Sequence, residues 1–331
     1  MTIKYNNVYI KNTATIAGIY EANGPLNKYF DKTYTNDLYF GEDTWEKAEI
    51  KLLKDTIKLL LKKEKVKDKD IDLIISGDLQ NQIAASDYAI RDLDIPFLGI
   101  FNACATISEA LNIASTYIDS KKIKNCICTT VSHNMSAEKQ FRNPTEYGTL
   151  KPETSTFTVT GAASILLTSE KTKIKITSGT IGKVIDKGIK DVNNMGAIMV
   201  PAAADTIYRH LSNLKIKPDY YDLILTGDLG KYGKKILINY LKEVYKMDIT
   251  NNYNDCGTII YDTDKQPVIA GGSGPACSAL TIFSYIYTKM KNKELKKVLI
   301  VPTGAIFSPT LSYQKESIPA IAHAISLEVE E

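Results

Sequence analysis

One cysteine in the sequence stands where a nucleophile could be activated. Residues 96–101 form a short apolar run of strand length, and from Ala103 the apolar residues change to helical spacing. Cys104 lies at this change, so we expect its thiol to face free backbone N–H groups and the positive end of a helix dipole, which lower a thiol pKa. Nucleophilic cysteines are built in this way. The alternative is a small buried cysteine that packs beneath a helix.

A nucleophilic thiol needs a base or an oxyanion donor, and the sequence offers few. It contains three histidines. His133 ends a strand-like run and precedes a polar segment, so it is the candidate that could line the same cavity as Cys104. His210 lies in an alanine-rich helix, where we expect partial exposure. His323 lies in a C-terminal strand, where we expect a core or interface role.

The composition indicates a sizeable α/β protein. The 331 residues are 44% hydrophobic, which is ample for a large core. A formal net charge of +3 favours neither nucleic acid nor a membrane surface as partner. Five cysteines without metal-site spacing favour a reducing compartment. No signal peptide is indicated, and the uncharged stretch 266–288 contains a glycine turn, so we interpret it as strand, turn and buried helix rather than a membrane span.

The second half of the sequence repeats the first. The phrase at residues 71–79 recurs 150 residues later at 221–229, and in each half an elbow and an apolar helix follow. Residues 295–303 then match residues 123–130, so the matching elements follow in the same order in both halves. Three matching elements indicate a duplicated α/β unit whose apolar strands form buried, mostly parallel sheets covered by helices.

Two such halves, with a cysteine at the first elbow only, resemble the thiolase and ketosynthase superfamily. The resemblance covers nearly the whole chain. It implies a layered αβαβα fold of class α/β, with mixed, mostly parallel sheets around two central buried helices. We expect the first half at residues 1–170 and the second at residues 171–331. Cys104 would then stand at the position of the acyl-accepting nucleophile.

The sequence departs from that superfamily where catalysis needs it most. The second elbow, at residues 271–278, lacks the Gly-His-Pro phrase of thiolases. Residues 226–229 read Thr-Gly-Asp-Leu, where type III ketosynthases carry His-Gln-Ala-Asn. Asn102 and Cys277 lie near the elbows, but neither is a base at neutral pH. The catalytic set is therefore incomplete, and an enzyme would have only Cys104 and His133 to use.

Phrases from both halves resemble the stage V sporulation protein AD family. They stand at residues 132–142, 144–148, 158–161, 199–206, 221–228 and 317–324. The resemblance implies a protein that binds pyridine-2,6-dicarboxylic acid (dipicolinic acid) without turnover and takes part in its uptake into the developing spore and its release at germination. It also implies a peripheral place at the inner spore membrane beside the SpoVA membrane proteins. A homodimer is expected by analogy with the fold.

Several groups near the first elbow could hold such a planar dianion. The helix N-terminus after Asn102 offers backbone N–H groups to one carboxylate. His133, next to Ser132, could donate to the other carboxylate or to the ring nitrogen. Arg142 could clamp a carboxylate with two hydrogen bonds or lie at the edge of a surface helix. Asp87 is a further candidate for the wall of the site.

Asp78 and Asp228 end the matching strands of the repeat, each after a glycine. We expect them to hold loop N–H groups as turn residues, in preference to accepting a Ca²⁺ ion that arrives with the ligand. No other metal or cofactor is expected.

Three functions stay open at this point. The first is ligand binding without turnover, which the missing catalytic partners favour. The second is an acyl-CoA-dependent thiolase- or ketosynthase-type acyltransferase that uses Cys104. The third is a structural subunit whose pocket is a relic.

Overall fold

The computed structural model describes residues 1–141 and 151–330, so Arg142 lies outside the described residues. Their strands are β1 Thr2–Lys4, β2 Tyr9–Ala17, β3 Lys32–Thr33, β4 Leu73–Gly77, β5 Phe97–Gly99, β6 Asn125–Ser132, β7 Phe157–Thr158, β8 Gly161–Thr168, β9 Ile174–Thr180, β10 Leu223–Thr226, β11 Tyr253–Asp255, β12 Gly272–Ser273, β13 Lys297–Val301, β14 Thr303–Ala305, β15 Ala320–Ala322 and β16 Ala324–Val329. Their helices are α1 Ile19–Ala22, α2 Trp45–Glu64, α3 Ala84–Ile90, α4 Thr106–Asp119, α5 Asn134–Phe141, α6 Met195–Leu214, α7 Gly230–Tyr245, α8 Cys256–Ile259, α9 Pro275–Thr281, α10 Tyr287–Lys291 and α11 Pro309–Tyr313. A π-helical turn, Ile282–Ile286, joins α9 to α10.

The main sheet is mixed, and its strand order has two matching sides. The order is β11-β10-β13-β16-β9-β2-β8-β6-β4-β5, with β1 beside β9 and β3 beside β2. On each side the outer strands pair in parallel and the inner strands pair antiparallel. The two sides meet where β2 and β9 pair through Tyr9 with Lys175 and Ile10 with Ile174. The α/β class and the mixed sheet agree with the prediction from the sequence.

Equivalent helices of the two sides begin 150 residues apart because the local sequence specifies each of them in the same way. The Thr44 hydroxyl accepts from the Lys47 N–H and caps α2, and the Asn194 amide oxygen accepts from the Ala197 N–H and caps α6. Each helix runs for 20 residues and ends at a lysine in the left-handed conformation.

Three apolar clusters divide the molecule into layers. One cluster joins α2 and α3 to the β2–β8–β6–β4 strands, and another joins α6 and α7 to β10, β13 and the C-terminal strands. Between them, α4 packs against α9 and its continuation, and both helices share a core with strands of both sides. The uncharged stretch 266–288 supplies this second central helix, as predicted. None of the described helices has the length and apolar character needed to cross a membrane.

His210 differs from its expected place on a helix surface. It is fully buried on α6, where Nδ1 lies 2.8 Å from the Thr180 hydroxyl and Nε2 lies 2.8 Å from the Tyr221 hydroxyl. Burial lowers the pKa of this imidazole to about 4. The alanine-rich stretch before it lets α6 approach the sheet closely, which brings the histidine into the core.

Candidate functional site

The first elbow is a strained turn between β5 and α4. Ala103 adopts φ of +48°, an uncommon conformation for a residue with a side chain. Cys104 follows within a single 3₁₀ turn, Ala103–Ala105, and α4 begins directly after it. The Thr106 hydroxyl donates to the Ala103 carbonyl at 2.7 Å and fixes this turn. Gly304 of β14 backs the elbow, since a Cβ there would lie 2.5 Å from the Asn102 carbonyl.

The second elbow meets the first at Gly274, which precedes α9. Its φ of +91° suits glycine, and its N–H points to Asp228 Oδ2 at 3.2 Å and to the Cys104 thiol. Ser132 supports this elbow from behind. Its hydroxyl donates to the Val159 carbonyl at 2.7 Å and accepts from the Ala276 N–H at 3.4 Å.

The group that approaches the Cys104 thiol is a carboxyl group, Asp228. This carboxyl is 1% exposed and accepts a 2.8 Å hydrogen bond from the Thr303 hydroxyl through Oδ1. Burial raises the pKa of Asp228 to about 7, the nearby Asp255 carboxyl adds to the rise, and the hydrogen bonds from Cys104 and Thr303 oppose it.

The thiol of Cys104 differs from the expected activated nucleophile. Burial, and after it the Asp228 carboxyl, raises the pKa of this thiol well above its usual value. The Gly274 N–H and the thiol's own backbone N–H act in the opposite direction, as the helix-end argument predicted, but they are outweighed. Cys104 is therefore a neutral thiol at pH 7.

A cavity of about 200 Å³ opens over the two elbows. The apolar and aromatic lining residues, which we call the apolar wall, are Leu79, Phe101, Ala103, Ala137, Phe141, Val192, Met195, Met199, Ala305 and Phe307. The polar lining residues, which we call the polar wall, are Cys104, Glu138, Ser155, Thr156, Thr158, Asn193, Asp228, Ser273 and Gly274. Phe141 and Phe307 lie with ring centroids 5.7 Å apart. A flat ring with polar substituents would match a lining that offers both kinds of surface.

Ser155 stands out on the polar wall. Its side chain is 2% exposed, and its hydroxyl has no hydrogen-bond partner among the described residues. An unsatisfied buried hydroxyl costs roughly 1–3 kcal/mol. A ligand acceptor placed in the cavity would remove this cost.

Among the described residues, Lys151 brings a positive charge to a residue of the cavity lining. Its ammonium lies 3.1 Å from Glu138 Oε1, and Glu138 lines the cavity. No lysine, arginine or histidine is among the described residues that line the cavity itself.

The structure places the predicted site residues in different surroundings. His133 is fully buried, and its Nε2 lies 2.8 Å from the Leu38 carbonyl while Nδ1 accepts from the Met135 N–H. It does not line the cavity, which differs from expectation, and burial lowers its pKa. Asn102 sits at the elbow, but its amide nitrogen lies 2.9 Å from His323 Nε2.

Asp87 and Asp78 also lie away from the cavity lining. Asp87 is exposed on α3 rather than part of the wall. Asp78 accepts from the Gln80 N–H at 2.9 Å and the Ser86 N–H at 2.7 Å, which is the geometry of a turn residue. The predicted carboxylate clamp at Arg142 lies outside the described residues. Of the named candidates, Cys104 and Asp228 line the cavity, and Ser132 and Asn102 support its elbows.

Sequence reasoning missed the polar wall at Ser155 and the role of Asp228 beside the thiol. Nothing in the local pattern marks Ser155. For Asp228 a signal existed, because residues 226–229 occupy the place of a catalytic phrase in related folds. In the described chain, no three or more His, Cys, Asp or Glu side chains are grouped as a metal site requires.

Comparison with known proteins gives a consistent result. A model of the family described as Stage V sporulation protein AD (SpoVAD) matches residues 1–328. The Stage V sporulation protein AD of Bacillus subtilis (strain 168) is 44% identical over 321 residues, which cover 97% of this chain and 94% of that protein.

Solved structures share the fold at low identity. Xanthomonas campestris OleA with bound lauric acid and lauroyl-CoA has a TM-score of 0.62 at 12% identity, over 97% of this chain and 99% of that one. The 3-oxoacyl-[acyl-carrier-protein] synthase III from Aquifex aeolicus VF5 has a TM-score of 0.54 at 14% identity, over 97% of this chain and 99% of that one. These structures confirm the predicted thiolase-like fold.

Proposed function

The chain belongs to the stage V sporulation protein AD family, with a role in sporulation, and from this premise we propose that it binds pyridine-2,6-dicarboxylic acid at the Cys104 elbow without turnover. The bound acid would be moved into the developing spore and released at germination. The observation that carries the proposal is a cavity lined both by phenyl rings and by the Ser155 hydroxyl, which has no partner among the described residues.

The apolar wall supports a flat aromatic ligand. Phe101, Phe141 and Phe307 supply ring surfaces that can stack on a pyridine ring or meet its edge. The cavity volume of about 200 Å³ suits a small molecule rather than a long acyl chain. A pyridine ring would place its carboxylates toward the hydroxyl-bearing wall.

The polar wall supports carboxylates through neutral donors. Ser155, Thr156, Thr158 and Ser273 carry hydroxyls, and Asn193 carries an amide. Lys151, through its contact with Glu138, brings one positive charge to the edge of this wall. Because charge-assisted hydrogen bonds are about twice as strong as neutral ones, hydroxyl donors suffice to orient a carboxylate.

The state of Cys104 supports the proposal that the ligand is bound without turnover. A thiol with a raised pKa is a poor nucleophile at neutral pH, and the lining residues within the described chain include no imidazole to take its proton.

A thermal-shift experiment tests the binding proposal. Ligand present at about 100 times its Kd should stabilise the protein by ~2.7 kcal/mol. Pyridine-3,5-dicarboxylic acid is the matched control, since it has the same atoms and charge in a different arrangement, and it should give a smaller shift. Calcium should be tested with and without ligand, because we propose that calcium accompanies the ligand rather than binding the protein alone. A melting temperature that none of these compounds changes would favour a purely structural subunit.

Acyl transfer is the second candidate, and one observation favours it. Asp228 faces Cys104 and has a pKa of about 7, so a fraction of this carboxyl is ionised at neutral pH and could accept the thiol proton. Incubation with acyl-CoA followed by intact-mass measurement decides the matter. We expect no mass increase on Cys104, and a stable acyl adduct with turnover would instead establish the acyltransferase.

The partners and location are also proposals. We propose a homodimer that lies peripherally at the inner spore membrane beside the SpoVA membrane proteins. The strand β5 supports a dimer, because it ends the order of the described main sheet and carries the exposed Leu98. Sedimentation of the purified protein would show whether a dimer forms.

A further inference from the structure

Asp228 is a buried carboxyl whose hydrogen bonds within the described part of the chain come from neutral groups. Its two oxygens accept from the Thr303 hydroxyl and the Gly274 N–H, and it faces the Cys104 thiol. The titratable groups around it are thiols and carboxyls, namely Cys104, Cys256, Cys277 and Asp255. Glu138 lines the same cavity, and its partner Lys151 lies outside the lining. The described residues lining the cavity include no cation to neutralise an ionised Asp228.

An incoming carboxylate would meet this group at close range. Two like charges held side by side repel, so one of them is driven to the neutral form. The ligand carboxylate is solvated and fully ionised before it binds. Asp228, with a pKa of about 7, is already half protonated at neutral pH, so it takes the proton rather than the ligand carboxylate.

We infer that Asp228 is protonated in the complex and donates its O–H to a ligand carboxylate, so that a proton from the solvent is taken up with each bound acid at neutral pH. This inference rests on the proposed function and deepens it. A protonated Asp228 completes the donor set of the polar wall and favours acids over neutral analogues of the same shape.

Isothermal titration with pyridine-2,6-dicarboxylate, in buffers of different ionisation enthalpy, counts the protons directly. We expect an uptake of about half a proton per ligand at pH 7 and close to one at pH 8.5, because the free carboxyl is then mostly ionised. Above pH 7 the Kd should rise about tenfold per pH unit.

Asp228→Asn is the informative variant, because the amide donates at every pH. It should bind the ligand with little proton uptake and with an affinity that changes little between pH 6 and 9. Asp78→Asn is the matched control, since Asp78 ends the equivalent strand but does not line the cavity. Its proton uptake should equal that of the unaltered protein.

Thr303→Val provides a second measurement if Asp228→Asn does not fold. Loss of the Thr303 hydrogen bond removes a group that lowers the Asp228 pKa, so the pH above which affinity declines should move upward. Binding with no proton uptake, or uptake that persists in Asp228→Asn, would overturn the inference while leaving the binding site intact. Binding that requires calcium and takes up no proton would overturn it as well. Absence of any binding heat would refute the proposed function itself.

Discussion

Replacing Ser155 with alanine should separate the stability of the free protein from its affinity for the ligand. The Ser155 hydroxyl is buried at the cavity wall and has no partner among the described residues. Its removal relieves an unsatisfied group, so the free protein should become more stable by about 1 kcal/mol. The same change removes a donor to a ligand carboxylate, and such a charge-assisted bond contributes roughly 1.5–3 kcal/mol. The Kd should therefore rise about 10- to 100-fold.

Ser115→Ala is the control for this prediction. Ser115 is also fully buried without a partner for its hydroxyl among the described residues, but it lies on α4 away from the cavity lining. Urea unfolding should show a similar gain in stability for both variants, while titration calorimetry should show a weaker affinity only for Ser155→Ala. Equal ligand affinities in the two variants would refute the assignment of Ser155 to the binding wall.

Three further predictions concern buried titratable groups. Burial raises the pKa of Glu21 to about 7 from 4.5, so the folded state holds its proton more tightly than the unfolded state does. About 3 kcal/mol of stability that is present below pH 4.5 is therefore lost as the pH rises through 7. Urea unfolding should show a smaller difference in stability between pH 5 and pH 8 for Glu21→Gln than for the unaltered protein. Cys104→Ala should fold normally and weaken ligand binding only about threefold, since a neutral thiol is a weak donor; loss of all binding by calorimetry would instead make the thiol essential. Alkylation of Cys104 by iodoacetamide, followed by mass spectrometry, should be slow at pH 7 and accelerate only above pH 9, because burial and Asp228 raise the thiol pKa; fast alkylation at pH 7 would contradict that pKa.

Much of the fold could be predicted from the sequence because the residues that specify its helices act locally and recur in both halves of the chain. Caps at Thr44 and Asn194, together with apolar helix faces, specify α2 and α6 without reference to the rest of the chain. The family and the fold class were confirmed by the comparisons. The boundary near residue 170 stays a prediction.

The site was harder to predict because its chemistry depends on distances between halves of the chain. His133 looked suited to the cavity by its position after a strand, but its ring turns toward the Leu38 carbonyl, which sequence spacing does not reveal. The direction in which the Cys104 pKa shifts also depends on a neighbouring side chain that sequence spacing does not reveal. Helix-end donors favour a thiolate, and burial of the thiol, followed by the tertiary contact with Asp228, outweighs that preference.

The two aspartates of the repeat show why duplication predicts structure better than function. Asp78 and Asp228 end equivalent strands after a glycine, and the same local sequence carries both. Asp78 uses its two oxygens on N–H groups of its own loop and helix. Asp228 instead contacts the Gly274 N–H and the Thr303 hydroxyl of its own half and the Cys104 thiol of the first half. It does so because Asp255 already holds the Leu229 and Gly230 N–H groups that follow it. Because the Asp255 carboxyl binds the N–H groups of this turn, Asp228 can face the cavity. A structural residue of the repeat is therefore a candidate for ligand recognition in the second half.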